Sequence, residues 1–249
     1  MTRRAFVLRE LGLSPVWMRR RGAHAQDAVA AAPAIDVADP AGATGGAPTH
    51  GRAAQIPGMD WQQLKESAST CGACVLHKAR KQAVFGVGDE KAEWLFVGEG
   101  PGAEEDERGE PFVGQAGKLL DNMLGAIALQ RGRDVYIANV VKCRPPNNRT
   151  PEPAEALACE PYLARQIELI GPRLIVALGK VAAQNLLGVD ATLASLRGRV
   201  HRYRGIALIV TYHPAYLLRT LADKSKSWED LCFAVQTMQA LKQQQAVPN

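Results

Sequence analysis

The stretch WLFVGEGPGAEEDERGEPFVG, residues Trp94 to Gly114, decides how the rest of the chain is read. Trp94 to Val97 is a short apolar run of strand formers, stopped by Gly98. A loop follows that mixes backbone-permissive residues with carboxylates: Gly98, Glu99, Gly100, Pro101, Gly102, then Glu104, Glu105 and Asp106. Glycines at that density let main chain approach a flat ligand closely. The carboxyl end of a strand is also where open α/β sheets bind ligands. Phe112 then stands as an aromatic in a polar loop, before a helical stretch over 115–129 with Leu119, Leu120, Met123, Leu124 and Ile127 on one face. The loop is no phosphate cradle. It lacks the Gly-Lys-Ser/Thr of a Walker loop, and its three consecutive carboxylates would repel phosphate. A solvated acidic turn explains the loop alone equally well.

Outward from this stretch, apolar runs recur at Val135–Val141, Leu174–Leu178 and Ile206–Thr211, each apolar on nearly every residue as strands covered on both faces are. Helical patterns lie between them at 153–170 and 180–187. Thr150 is placed to cap the first of these, with Pro151 in its first turn. Trp61 to Ser69 reads as a short helix. A last helix opens at Ser227-Trp228-Glu229-Asp230, a capping-box pattern, and is expected to bury Trp228, Leu231, Val235 and Met238. The alternation predicts an α/β fold, a three-layer α/β/α sandwich around a roughly four-stranded parallel sheet.

The formal charge of +5 is concentrated at the amino terminus. Residues 1–22 hold six arginines and one acid, Glu10; removing these from totals of 30 basic and 25 acidic side chains leaves 24 of each. The body is neutral, so nucleic-acid binding has to rest on local patches. Thr2-Arg3-Arg4-Ala5-Phe6-Val7-Leu8 begins like a twin-arginine export signal. Arg9, Glu10 and Arg19–Arg21 break the apolar region such a signal needs, so export is not expected. Leu8 to Trp17 can form a short amphipathic helix, a docking tail for a protein partner or DNA. Residues 23–57, rich in Ala, Gly and Pro, bury too little to offset ordering entropy and read as a disordered linker. The folded domain is expected over 58–249, beginning near Met59. No apolar run approaches a membrane span.

Five cysteines, at 71, 74, 143, 159 and 232, are odd in number and unevenly spaced. That points to a reducing compartment, the cytoplasm, and to a metal site rather than disulfides. Cys71 and Cys74 form a C-x2-C pair; Cys143 follows the second strand, and Cys159 lies sixteen residues later within a helix. Such a set can enclose one tetrahedral ion or one cubane cluster. The long gap to the fourth ligand suits an iron–sulfur cluster better than zinc, while four unrelated buried thiols remain the bland alternative. Cys232 reads as a core residue. A cluster there would act as a fold clamp, pinning a loop that carries Lys142, Arg144, Asn147, Asn148 and Arg149.

Two further strand ends carry polar groups. Asn139 sits inside an apolar run, where a buried amide must find partners: neighbouring backbone or a ligand. His213 follows the fourth strand in Thr211-Tyr212-His213-Pro214-Ala215-Tyr216-Leu217-Leu218-Arg219, placed to face a site, although a lone histidine is more often structural. Arg197, Arg199, His201, Arg202 and Arg204 form a basic hairpin suited to phosphate contact.

CGAC, GEGPGAEEDERGEPFVG, NVVKCRPPNNRTPEP, the helix with Cys159, and TYHPAYLLR occur in an order that resembles family 4 uracil-DNA glycosylases, the iron–sulfur members of their superfamily. The likeness runs from about Cys71 to Leu231. It implies a DNA repair enzyme that hydrolyses the N-glycosidic bond of deoxyuridine in single- or double-stranded DNA. It implies a 4Fe-4S cluster on Cys71, Cys74, Cys143 and Cys159. Phe112 matches the family's stacking aromatic, Asn139 its base-reading amide, and His213 the histidine near uracil O2. Gly100 stands in the substrate pocket where other uracil glycosylases place a water-handling aspartate, so Glu99 is the first candidate for that task and Glu105 the second. Gly102 stands where some families use a tyrosine to exclude thymine. Arg197, Arg199, His201 and Arg219 are the expected DNA contacts. The protein is expected to act as a monomer near the bacterial nucleoid. Two alternatives stay open: a relative that traps DNA covalently through His201, and a non-catalytic, polymerase-associated DNA-binding module.

Overall fold

The computed structural model describes residues 51–246. The expectations for the basic segment and for most of the linker fall outside those residues. Its short entry helix α1 (Arg52–Gln55) runs into a 3-10 turn at Ile56–Gly58. Ile56 is fully buried in the core, so the folded part reaches a few residues upstream of the Met59 boundary read from composition. In chain order there follow α2 (Trp61–Ser69), β1 (Val87–Gly88), β2 (Trp94–Gly98), α3 (Ala103–Arg108), α4 (Gln115–Ala126), β3 (Val135–Asn139), α5 (Pro153–Ile170), β4 (Leu174–Leu178), α6 (Lys180–Leu187), α7 (Leu193–Leu196), β5 (His201–Tyr203), β6 (Ile206–Thr211), α8 (Pro214–Arg219) and α9 (Lys224–Ala246).

The sheet has six strands in the order β1-β3-β2-β4-β6-β5. The four expected strands form its parallel centre, and the two short outer strands pair antiparallel. Alternate side chains of each central strand pack to opposite faces. Leu95, Val97, Ile175, Ala177, Leu208 and Val210 join Leu163 and Ile167 of α5 and Leu186 of α6. Trp94, Phe96, Val176, Leu178 and Ile209 join Leu120 and Leu124 of α4 and Met238 of α9. Both faces are therefore covered, which is why the strands read as unbroken apolar runs. Because β3 and β4 flank β2 on opposite sides, the chain reverses direction across the sheet at β2. A crevice opens at such a switch point, outside the strand carboxyl ends.

Three local expectations are corrected. Thr150 does not cap α5: Glu152 does, with Pro153 first in the helix and the Glu155 carboxylate accepting from the Glu152 N–H at 2.8 Å. The last helix starts at Lys224, so Ser227 lies inside it, buried and bonded to the Thr211 hydroxyl at 3.0 Å. Trp228 consequently turns outward and is 47% exposed. The acidic loop also contains a helix, α3, and its carboxylates occupy the first turn, where the helix dipole favours negative charge.

Candidate active site

Three rim loops converge on one cleft of about 510 Å³, which Phe112, Asn139 and His213 all line. That is enough room for a nucleotide-sized ligand. Asn139 is the last residue of β3, register-paired with Gly98 of β2. Gly98 carries no side chain because none fits: a Cβ there would stand 2.5 Å from both Asn139 Oδ1 and Phe112 Cζ. The glycine thus lets the amide and the ring come together over the strand end. Asn139 is 2% exposed, yet its Oδ1 is the one buried side-chain N or O atom without a hydrogen-bond partner among the described residues. An acceptor left unpaired in the interior is costly, on the order of 1–3 kcal/mol. A ligand donor would relieve it.

Phe112 is held in the left-handed region, φ 56°, which is strained for a residue with a side chain. Its carbonyl is pinned from two sides. Arg131 donates to Phe112 O at 2.7 Å and to Pro111 O at 2.8 Å, and Gly117 of α4 packs so close that a Cβ would lie 1.8 Å from Phe112 O. The Glu105 carboxylate completes the clamp. Its Oε1 accepts from the N–H groups of Val113 (2.9 Å) and Gly114 (3.1 Å), and its Oε2 from Gly102 N–H (3.1 Å). Both oxygens are engaged with backbone, although Glu105 also lines the cleft, where it was the second candidate to handle water.

His213 lies with its ring centroid 5.5 Å from that of Phe112. Gly179, at φ 93°, backs it so closely that a Cβ would sit 2.9 Å from His213 Cβ. Burial pushes the imidazole pKa down to about 4, helped by Arg219 and opposed by Glu105. The ring is therefore neutral at pH 7. Its Nδ1 accepts from the Ala215 N–H at 3.1 Å, which leaves the proton on Nε2. Glu99 lines the same cleft, and burial raises its carboxyl pKa, with a contact to Thr150 opposing the rise. Gly100 beside it cannot be an aspartate without displacement, because a Cβ would lie 2.7 Å from Cγ2 of the buried Val141. A tyrosine at Gly102 would meet Glu105 Oε2 in the same way, at 2.7 Å from its Cβ.

Residues 85–232, more than half of the chain, match the family model described as the uracil DNA glycosylase superfamily. The chain belongs to that superfamily. It is 48% identical to a type-4 uracil-DNA glycosylase of Pyrobaculum aerophilum over 181 residues, covering 70% of this chain and 92% of that one. The type-4 enzymes of Archaeoglobus fulgidus and Thermotoga maritima are 51% and 47% identical. Those matches cover 60% and 65% of this chain and 78% and 84% of theirs.

Within this uracil-DNA glycosylase fold, Cys71, Cys74, Cys143 and Cys159 line a second cavity, with Arg80 and Lys142 at its wall. Donors point at three of the sulfurs: Arg52 at Cys71 (3.4 Å), Arg80 at Cys143 (2.8 Å) and the Lys142 N–H at Cys159 (3.3 Å). Among the described residues no three His, Cys, Asp or Glu side chains are gathered tightly enough for one metal ion. The four thiols share a cavity at wider spacing. Burial raises the thiol pKa values of Cys143 and Cys159, the latter to about 12, so some cationic centre or neighbour is needed to hold them as thiolates.

The residues expected to form a basic hairpin are mostly engaged within the fold. Arg197 Nε and Nη2 bond the buried Asp230 carboxylate at 2.7 and 3.0 Å, and its guanidinium lies 4.6 Å over the Tyr212 ring. It braces the fold. His201 is half-buried with Nε2 at 2.7 Å from Leu196 O, and it does not line the cleft. The hairpin tip lies at the amino end of β6, where Tyr203 pairs Ile206, on the rim opposite the cleft, and Arg204 there pairs with Glu160 and Glu168. Arg199 is exposed; of the expected DNA contacts only Arg219 lines the cleft. Sequence reasoning missed Arg131 and the wall formed by Pro145, Asn148 and Thr150. The paired prolines and asparagines after Cys143 were the available signal for that wall.

Proposed function

We infer that the protein hydrolyses the N-glycosidic bond of deoxyuridine in DNA, releasing uracil and leaving an abasic site. The observation that carries this is the orphaned Asn139 Oδ1, buried beside an aromatic face and a neutral imidazole. The target nucleotide leaves the base stack, and its ring stacks on Phe112. Asn139 Oδ1 accepts from uracil N3–H while its amide donates to O4. Cytosine reverses both and leaves both unpaired, at roughly 1–3 kcal/mol each. As the C1′–N1 bond breaks, its electron pair moves onto the uracil ring. His213 Nε2–H donates toward O2, where the charge develops. Glu99, with its raised pKa, orients the water that adds to C1′ and takes its proton. Glu105 and Arg131 are positioning residues, holding the Phe112 loop. Trapping through His201 has no support in its placement away from the cleft.

Cys71, Cys74, Cys143 and Cys159 would hold a 4Fe-4S cluster, and their spread around one cavity fits a polynuclear centre better than one ion. When bound, such a cluster supplies iron–thiolate cross-links between the start of the domain and the loop after β3. Protein purified without oxygen is expected to be brown with iron in excess of zinc; a colourless, zinc-loaded preparation would overturn the assignment. The activity is assigned to the domain expected over 58–249, whose core also takes in Ile56, acting as a monomer on uracil-containing DNA in the cytoplasm. Among the described residues no helix is long and apolar enough to cross a membrane.

The test is incubation with a single-stranded uracil-containing oligonucleotide followed by alkali. Strand scission is expected. Intact DNA that stays bound would favour a passive binding module, and an adduct that survives denaturation would favour covalent trapping.

A further inference from the structure

A buried cation joins the cleft to the four-cysteine cavity. Lys142 is fully enclosed, three residues after Asn139 and one before Cys143. Its ammonium donates to the main-chain oxygen of Asn139 at 2.9 Å and to Gln166 Oε1 at 2.5 Å. Gln166, also buried, donates from Nε2 to Phe85 O at 3.0 Å. The Lys142 backbone N–H meanwhile donates to Cys159 Sγ. No carboxylate forms an ion pair with Lys142 among the described residues, and Lys142 lines the same cavity as Cys143 and Cys159. A buried ammonium without an anionic partner is strongly unfavourable. Four metal-bound thiolates would be that partner. The same ammonium closes on the peptide whose side chain reads the base, and a misplaced peptide there would move the orphaned Oδ1.

We propose that Lys142 is a positioning residue: it fixes the Asn139 peptide, and the four-cysteine site balances its charge, so that filling of that site is transmitted to the uracil affinity of the cleft. The role of Asn139 is taken from the glycosylase function proposed above. Neither the side-chain bonds nor the coupling belongs to the chemistry of base release itself, since Lys142 reaches the cleft only through the Asn139 main chain and does not itself line it.

Lys142→Met keeps the length of the side chain and removes its charge and donors. Free-uracil affinity is measured by equilibrium dialysis, in metal-loaded and chelator-stripped protein, for wild type and variant. Stripping is expected to weaken uracil binding by wild type about tenfold. Loaded Lys142→Met is expected to show about the same loss, with less than about twofold more on stripping, because the two changes break one coupling. Binding of abasic-site DNA is expected to stay within about twofold throughout. Wild-type uracil affinity in an iron-loaded variant, or two losses that multiply independently, would overturn the proposal. Should Lys142→Met fold poorly or lose its metal, Gln166→Leu removes one of the two ammonium acceptors. It is expected to weaken uracil binding with iron retained, and unchanged binding would overturn the coupling. A wild-type protein that neither binds uracil nor cleaves uracil-containing DNA would instead overturn the glycosylase function, and this proposal with it.

Discussion

Asn139→Ala is expected to slow uracil release by roughly 10²–10⁴-fold, the loss of two buried hydrogen bonds at about 1–3 kcal/mol each. Binding to abasic-site DNA should stay within about twofold, because phosphate contacts supply most of that affinity and the buried Asn139 is assigned to the base. The separation follows from the geometry. Asn139 lies 2% exposed at the end of a central strand, and its unpaired oxygen shares the floor of the cleft with Phe112. Single-turnover rates on a uracil oligonucleotide, set beside its binding isotherm, give both numbers. Equal losses in the two measurements would remove the base-reading role.

His213→Ala is expected to lower the single-turnover rate roughly 10²–10³-fold, the usual cost of deleting a donor aimed at developing charge. Its pH dependence is more diagnostic. The folded pKa of about 4 lies below the ordinary 6.5. Between these values the unfolded chain takes up a proton that the folded protein refuses. The stability gained by keeping the ring neutral is thus complete above about 6.5 and is lost as pH falls through about 4. Protonation would also remove the Nδ1 acceptor that meets the Ala215 N–H. The rate should therefore show no inflection near 6.5 and should decline only on the acid side, where Glu99 also becomes protonated. A wild-type inflection near 6.5 that disappears in His213→Ala would mean that the charged imidazolium does the work.

The centre of the fold was legible because four strands are covered on both faces and so are apolar throughout. Their ends revealed the site for a related reason: Asn139 interrupts an apolar run, and His213 follows one. The outer strands Val87–Gly88 and His201–Tyr203 are two and three residues long, too short for a period to register. The carboxylates after Gly102 pointed to ligand chemistry, yet they form the first turn of a helix, and Glu105 reaches backbone N–H groups that are adjacent only once the loop folds. Arg197 looked like a phosphate contact because its partner, Asp230, lies 33 positions away. Lys142 read as part of a basic loop for the same reason, since Gln166 meets it only across the packed interior. Composition identifies charge, whereas tertiary packing decides whether that charge faces solvent.

A crystal structure with free uracil bound tests the arrangement most directly. The pyrimidine ring is expected to stack on Phe112, with N3 about 3 Å from Asn139 Oδ1 and O2 turned toward His213 Nε2. Uracil seated elsewhere, or seated in the cleft with Asn139 Oδ1 still unpaired, would contradict it.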